Sequence, residues 1–229
     1  MKFLKEWIDE RINDDIYFFD YEDFSNIEEI VDNGTKEILK KVDLENKMFT
    51  IATLKNLDNP AIKKVTKITE NEFKEFINKL KTFNEVHPNI NRFLGLTKGP
   101  DGNYFSVWEY TFERNLSNYL QTERSKLHLD DKIQMALDIA HGLMFLHSEK
   151  MAHGTLDASN VLIENGRLTI TGFYFYGSSE EDIKDDILSL GHLLHELVRI
   201  DSEDTPLEYK QVCQKCLHED PDLRPEVNE

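Results

Sequence analysis

Two stretches of this chain concentrate side chains that can do chemistry. The first, His153 to Gly177, reads HGTLDASNVLIENGRLTITGFYFYG and sets an imidazole at 153, a hydroxyl at Thr155, a carboxylate at Asp157 and an amide at Asn160. An imidazole or a carboxylate can move protons near neutrality, whereas Thr155 carries no charge and has no pKa in that range, so it is no general base. A lone neutral amide is a poor site for a hard divalent cation, so Asn160 reads first as a hydrogen-bonding tie within its loop. The second stretch, LEYKQVCQKCLHED, spaces Cys213 and Cys216 as C-x-x-C. No other cysteine completes a four-ligand zinc site and no thioredoxin-like pattern surrounds the pair. These read as buried cysteines of a helix.

The elements that position the first stretch can be read on either side of it. LDDKIQMALDIAHGLMFLHSEK sets Ile133, Ala136, Leu137, Ala140, Leu143 and Met144 on one face, which predicts a long core helix before the loop. NVLIENGRLTI is a hairpin turning at Asn165-Gly166, the pair favoured for a two-residue connection. DDILSLGHLLHELV is apolar almost all round, which predicts a buried helix after it. Upstream the character is different. Leu4, Trp7, Ile8 and Ile12 predict a short amphipathic helix over residues 3–13, and EEIVDNGTKEILKKV and KMFTIATLKNL read as strands. Thr69 with Glu72 is a capping-box signature opening a helix that carries Phe73, Phe76, Leu80 and Phe83. NINRFLGLT and NYFSVWEYT are strands joined through the turn KGPDG.

Composition bounds the partners. With 39% hydrophobic residues and 31% charged ones the chain has the makings of a folded core. A formal charge of −17 repels phosphates, which argues against nucleic acid as a partner. No apolar run reaches membrane-spanning length and the N-terminus lacks a signal-peptide core, so the expectation is an intracellular, cytoplasmic protein.

Five anchors in one order resemble the protein kinase superfamily, most closely its tyrosine-kinase-like branch, over Ile27 to Glu229. Ile51-Ala52-Thr53-Leu54-Lys55 resembles the V-A-x-K strand, and HPNINRFLG (His87 to Gly95) the passage from helix αC to the next strand. His153 to Asn160 is similar in spacing to H-R-D-L-x-x-x-N, Asp186 to Gly191 resembles the start of the central helix αF, and Asp220-Pro221 with Arg224-Pro225 resembles the closing D-P-x-x-R-P. The resemblance implies an α+β, bilobal fold: a helical extension over 1–23, a small β-sheet lobe with one main helix over 24–110, and a larger helical lobe over 111–229. In the family a last helix usually continues beyond the equivalent of Glu229.

The departures from that pattern carry the functional expectation. Where the family has its catalytic aspartate stands Thr155, and where the metal-binding aspartate precedes Phe stands Gly172. Asp157, two places on, is displaced by several ångströms where reactive geometry tolerates about 1 Å. The three glycine places of the phosphate-covering loop hold Val31, Asn33 and Lys36, with a single Gly34 out of place. At the αC glutamate's place the apolar rhythm of Phe76, Phe83 and Val86 puts Lys79, so Lys55 lacks its usual ion pair unless Glu75, one turn earlier, reaches it. Only 13 residues, 173–185, separate Gly172 from Asp186, without the family's A-P-E docking segment.

Other implied places are kept. The resemblance puts Ile38, Ala52 and Leu162 around an adenine, Lys55 on phosphates, Glu109 and Thr111 in the hinge behind Trp108, and Asn160 in the remaining ligand place. It stacks Phe83, Phe93, His153 and Phe173 as a spine anchored on Asp186. The implied function is that of a pseudokinase, a regulatory or protein-binding module without phosphotransfer; the H-G…N…G-F pattern is similar to that of mixed-lineage-kinase-like pseudokinases. The alternative is an active serine/threonine or tyrosine kinase with atypical ATP use. The implied cofactor is at most ATP held without divalent metal, no metal ligands are expected, and the implied partner is a protein.

Overall fold

The strand-forming stretches of the first half pair into a single sheet. A computed structural model describes residues 17–23, 25–32, 35–44, 48–56, 79, 87–99, 104–109, 114–164, 166–172, 179–198 and 205–228. The chain divides into two compact units, Met1–Val86 with Asn91–Phe112, and His87–Ile90 with Glu113–Glu229.

In the first unit the strands are β1 (Phe18–Phe19), β2 (Ser25–Asp32), β3 (Thr35–Leu44), β4 (Met48–Asn56), β5 (Phe93–Lys98) and β6 (Tyr104–Glu109), in the order β1-β5-β6-β4-β3-β2. β2 and β3 pair antiparallel up to Asp32 and Thr35. β5 is buried almost end to end, which explains why FLGL reads as a continuous apolar run and not as an alternation. Against it the Phe93 ring meets Trp108 edge-on, with centroids 5.3 Å apart. β1 runs parallel to β5, and the Leu96 N–H donates to the Tyr17 carbonyl at 2.9 Å. Gly95 permits this approach, because a Cβ there would collide with the Tyr17 carbonyl and lie 3.0 Å from the Phe19 ring. β1 thus falls in the stretch expected as a helical extension; a two-residue strand leaves no periodicity in a sequence. The helix expected over 3–13 lies outside the described residues. So does all of the capped helix after Thr69 except Lys79, which is in helical backbone and half-buried.

The second unit contains α1 (Leu116–Glu123), α2 (Leu129–Ser148), the hairpin β7 (Val161–Glu164) and β8 (Arg167–Ile170), α3 (Glu180–Val198) and α4 (Leu207–Cys216). α2 starts where the His128 N–H donates to Asp131 Oδ2 at 2.9 Å, with Asp130 and Asp131 at the positive end of the helix dipole. Its core face differs from the one expected. Met135, Ala136, Ile139, Leu143 and Leu146 are buried, whereas Leu137 and Met144 are 45% and 41% exposed. The cause is Asp138. Its carboxylate is fully buried and accepts from the Leu168 N–H at 2.9 Å and Gln134 Nε2 at 3.0 Å, with Arg167 Nε at 3.6 Å. It turns toward the hairpin a face that a count of apolar residues treats as polar.

The hairpin is held from its other side by Asn89, whose carbonyl accepts from the Ile170 N–H at 2.8 Å while its Nδ2 donates to the Leu168 carbonyl at 2.9 Å. α3 buries Ile187, Leu190, Leu193, Leu194, Leu197 and Val198, leaving His192 and His195 exposed. α4 packs on it, with the Tyr209 hydroxyl donating to the Leu194 carbonyl at 2.8 Å. Cys213 and Cys216 are buried in α4 as free thiols, as the sequence suggests. Desolvation pushes the Cys213 thiol up to about 12 and raises Cys216 as well, so neither is a thiolate at neutral pH.

Candidate functional site

The loop from Met151 to Asn160 joins α2 to the hairpin, and one buried carboxylate organises it. Asp186 of α3 accepts from the His153 N–H at 2.6 Å and His147 Nε2 at 3.0 Å on one oxygen, and from the Gly154 N–H at 2.9 Å on the other. At 1% exposure such a group is tolerable only because each oxygen is satisfied. His153 is also wholly buried. Its Nε2 faces the Thr171 carbonyl at 2.9 Å, and a carbonyl only accepts, so the proton sits on Nε2. Its Nδ1 accepts from the Thr155 N–H at 3.2 Å. Both nitrogens are used within the fold, which leaves a neutral imidazole that ties residue 155 to residue 171. No proton-transfer role remains open to it. His147 was not foreseen as the third donor to Asp186, since nothing in its spacing marks it.

Thr155 is exposed. Asp157, also exposed, uses Oδ1 to cap the turn Ala158–Asn160, accepting from the Ser159 N–H at 2.8 Å and the Asn160 N–H at 3.1 Å. Its carboxylate is a cap, the usual use of an aspartate two residues before such N–H groups. Asn160 donates through Nδ2 to the Thr155 carbonyl at 2.8 Å, and its own carbonyl accepts from the Thr171 N–H at 2.9 Å. Gly172 is buried with φ at +75° and sits directly against the Asn160 amide. This donor set does not fit a divalent cation: Gly172 offers no oxygen from a side chain, and Asn160 supplies only one neutral amide oxygen. Among the described residues no cluster of three or more His, Cys, Asp or Glu could hold a metal. Leu162, half-buried in β7, pairs with Thr169 and forms a bridge with Asn115.

In the first unit the β-ladder decides which positions share a face. Ile38 pairs with Leu54, Lys40 with Ala52, and Ala52 with Glu109, whereas Thr53 pairs with Trp108 and Lys55 with Ser106, all without a register break. Positions an odd number apart in one strand belong to opposite faces. Ile38, Ala52 and Glu109 therefore share one face, and Lys55 belongs to the other with Thr53 and Trp108. Val31 pairs with Lys36 inside the β2–β3 ladder. Thr111, Glu75, Phe83 and Phe173 lie outside the described residues, so the expected hinge contact, ion-pair swap and full spine lie outside them too. Glu109 is half-buried, and its N–H donates to the Arg92 carbonyl at 2.9 Å.

A family model described as protein tyrosine and serine/threonine kinase matches residues 49–186, more than half of the chain. Curated relatives share shorter stretches. The RGS domain-containing serine/threonine-protein kinase A of Dictyostelium discoideum is 33% identical over 93 residues, 41% of this chain and 8% of that protein. The lymphokine-activated killer T-cell-originated protein kinase of Homo sapiens is 31% identical over 122 residues, 48% of this chain and 38% of that protein. Guanylate cyclase D of Mus musculus is 24% identical over 211 residues, 67% of this chain and 19% of that protein. The chain spans well under half the length of each.

Proposed function

This chain belongs to the protein kinase superfamily, and on that premise we propose that it is a pseudokinase of the tyrosine-kinase-like branch, a regulatory or protein-binding module that transfers no phosphate. The observation that carries this reading is the state of the 153–172 loop. The place of the proton acceptor holds Thr155, the place of the metal carboxylate holds Gly172, and the other ligand place, Asn160, is bonded to Thr155. Phosphoryl transfer is almost wholly positioning and charge neutralisation, so losing both groups removes most of what the fold supplies. Support also comes from the relatives, among which the likeness extends to a protein named guanylate cyclase D; likeness to this family does not by itself carry a phosphotransferase name. We place the module in the cytoplasm, with a protein as its partner, a sheet lobe over 24–110 and a helical lobe over 111–229. No helix among the described residues is long and apolar enough to cross a membrane.

A thermal-shift series with ATP, with and without Mg²⁺ or Mn²⁺, tests the metal half of this reading. A nucleotide at one hundred times its Kd stabilises by about 2.7 kcal/mol, which raises Tm by roughly 5–10 °C in a chain of this size. The expected result is that any rise with ATP is the same whether or not metal is present. A rise that requires Mg²⁺ contradicts the reading.

A further inference from the structure

A groove of about 890 Å³ opens within the second unit, between the end of α2, the start of α3 and the segment from Asp220 to Asn228. Its walls are fixed to one another. Arg224 is buried and donates to the Lys184 carbonyl at 2.9 Å, to Asp185 Oδ1 at 3.0 Å and to the His218 carbonyl at 3.0 Å. Lys184 Nζ donates back to the Arg224 carbonyl at 2.7 Å. The apolar lining includes Met144, Ile183 and Val227. Met144 is 41% exposed, and Leu137, two turns earlier on α2, is 45% exposed. Two turns are about 10 Å along a helix, so these side chains form an apolar stripe that runs out of the groove along α2.

Five exposed carboxylates line the same groove: Glu180, Glu181, Asp220, Asp222 and Glu226. The positive end of the α3 dipole accounts for Glu180 and Glu181, and Asp220 caps a turn by accepting from the Asp222 N–H at 3.1 Å. Asp222 and Glu226 have no such use, and they come from a different segment to the same rim. Among the described residues none of Glu180, Glu181, Asp222 and Glu226 has an ion-pair partner. The ammonium in the lining, Lys184 Nζ, is held by the opposite wall. Like charges around a concave, partly apolar surface focus a negative potential into it. We propose that this groove docks an amphipathic helix of a partner protein, one that carries Lys or Arg on both sides of its apolar stripe. Apolar side chains at i, i+3 or i+4, and i+7 of that helix lie along Met144 and Leu137, and its cations meet the rim. Nucleic acid and anionic lipid are repelled by the rim, and a second copy brings its own charge of −17. This gives a chemistry to the protein partner proposed above and rests on that part of the reading.

Calorimetric titration of the full chain with three blocked peptides of about 18 residues, long enough to hold a helix, tests this. The first is a Leu/Lys amphipathic helix, the second has Ala in place of Leu, and the third has Glu in place of Lys. The Leu/Lys peptide is expected to bind, the Ala/Lys peptide at least tenfold more weakly, and the Leu/Glu peptide not at all. Glu181→Lys/Glu226→Lys is expected to raise the Kd of the Leu/Lys peptide at least tenfold, and Met144→Gln at least fivefold. Glu22→Lys/Glu208→Lys makes the same change of charge at exposed places outside the groove and is expected to alter Kd less than twofold. Absence of binding by the Leu/Lys peptide, equal binding of the Ala/Lys peptide, or equal weakening by the two charge-reversed pairs overturns the proposal. If the Glu181→Lys/Glu226→Lys pair does not fold, Met144→Gln against Glu22→Lys/Glu208→Lys carries the same outcomes. Dimerisation in sedimentation equilibrium that Met144→Gln abolishes assigns the face to a second copy and also overturns it. The absence of phosphotransfer fails separately, on incorporation of labelled phosphate, which leaves these affinities untouched.

Discussion

His153 retains the side chain best suited to proton transfer and spends both ring nitrogens on its neighbours, Thr171 and Thr155. Replacing it with Ala empties a fully buried site and releases both ties, so a loss of roughly 1–3 kcal/mol is expected in chemical denaturation. A neutral effect would show that the ring bears no load. His87 makes a pH-dependent contribution. Its ring stacks on Phe145 with centroids 4.6 Å apart, and desolvation, then the neighbouring His141, lowers its pKa below the ordinary 6.5. The unfolded chain therefore takes up its proton first as pH falls. This contribution is fully present above pH 6.5 and is lost as pH drops through the lower folded value. Melting curves between neutral and mildly acidic pH should fall less steeply for His87→Gln than for wild type; equal slopes would refute the assignment. His153, Asn160 and Asp186 could be located from the sequence because spacing along a chain is read without tertiary information. The pairing of Ala52 with Glu109 and of Lys55 with Ser106 is set between strands and leaves no mark in residue type.

At the scale of elements, the hairpin β7–β8 depends on a polar residue in the middle of α2. Asp138 is buried, and three groups converge on it: the Leu168 N–H, Gln134 and Arg167. Asp138→Ala leaves a buried N–H unpaired and a small void, which should cost roughly 2–4 kcal/mol, read as a lower denaturation midpoint. Leu137→Ala, on the exposed side of the same helix, should change stability by less than about 1 kcal/mol. The reverse order would restore the face that the apolar pattern suggests. Element identity was readable for α2, the Asn-Gly hairpin, α3 and the β5–β6 pair, because each shows a helical period, a continuous apolar run or a turn dipeptide. What could not be read is tertiary: a buried carboxylate that reorients a helix, and a two-residue strand fixed by its partner β5.

For the whole molecule, the chain has the family's fold, and Thr155 and Gly172 stand at the two places where the resemblance implies aspartates. In the sheet of the first unit Val31 and Lys36 pair within the β2–β3 ladder. The helical unit hangs its loop on Asp186. A charge of −17 favours cationic over anionic surfaces as partners, and the association of such a pair weakens with salt. The central claim is that no phosphate is transferred. Its most direct measurement is incorporation of labelled phosphate from γ-labelled ATP, by clean recombinant protein, into itself and into protein substrates, with Mg²⁺ and with Mn²⁺, beside a Lys55→Met variant. The account predicts no incorporation above that of the variant; incorporation by the wild type that disappears in Lys55→Met would contradict it.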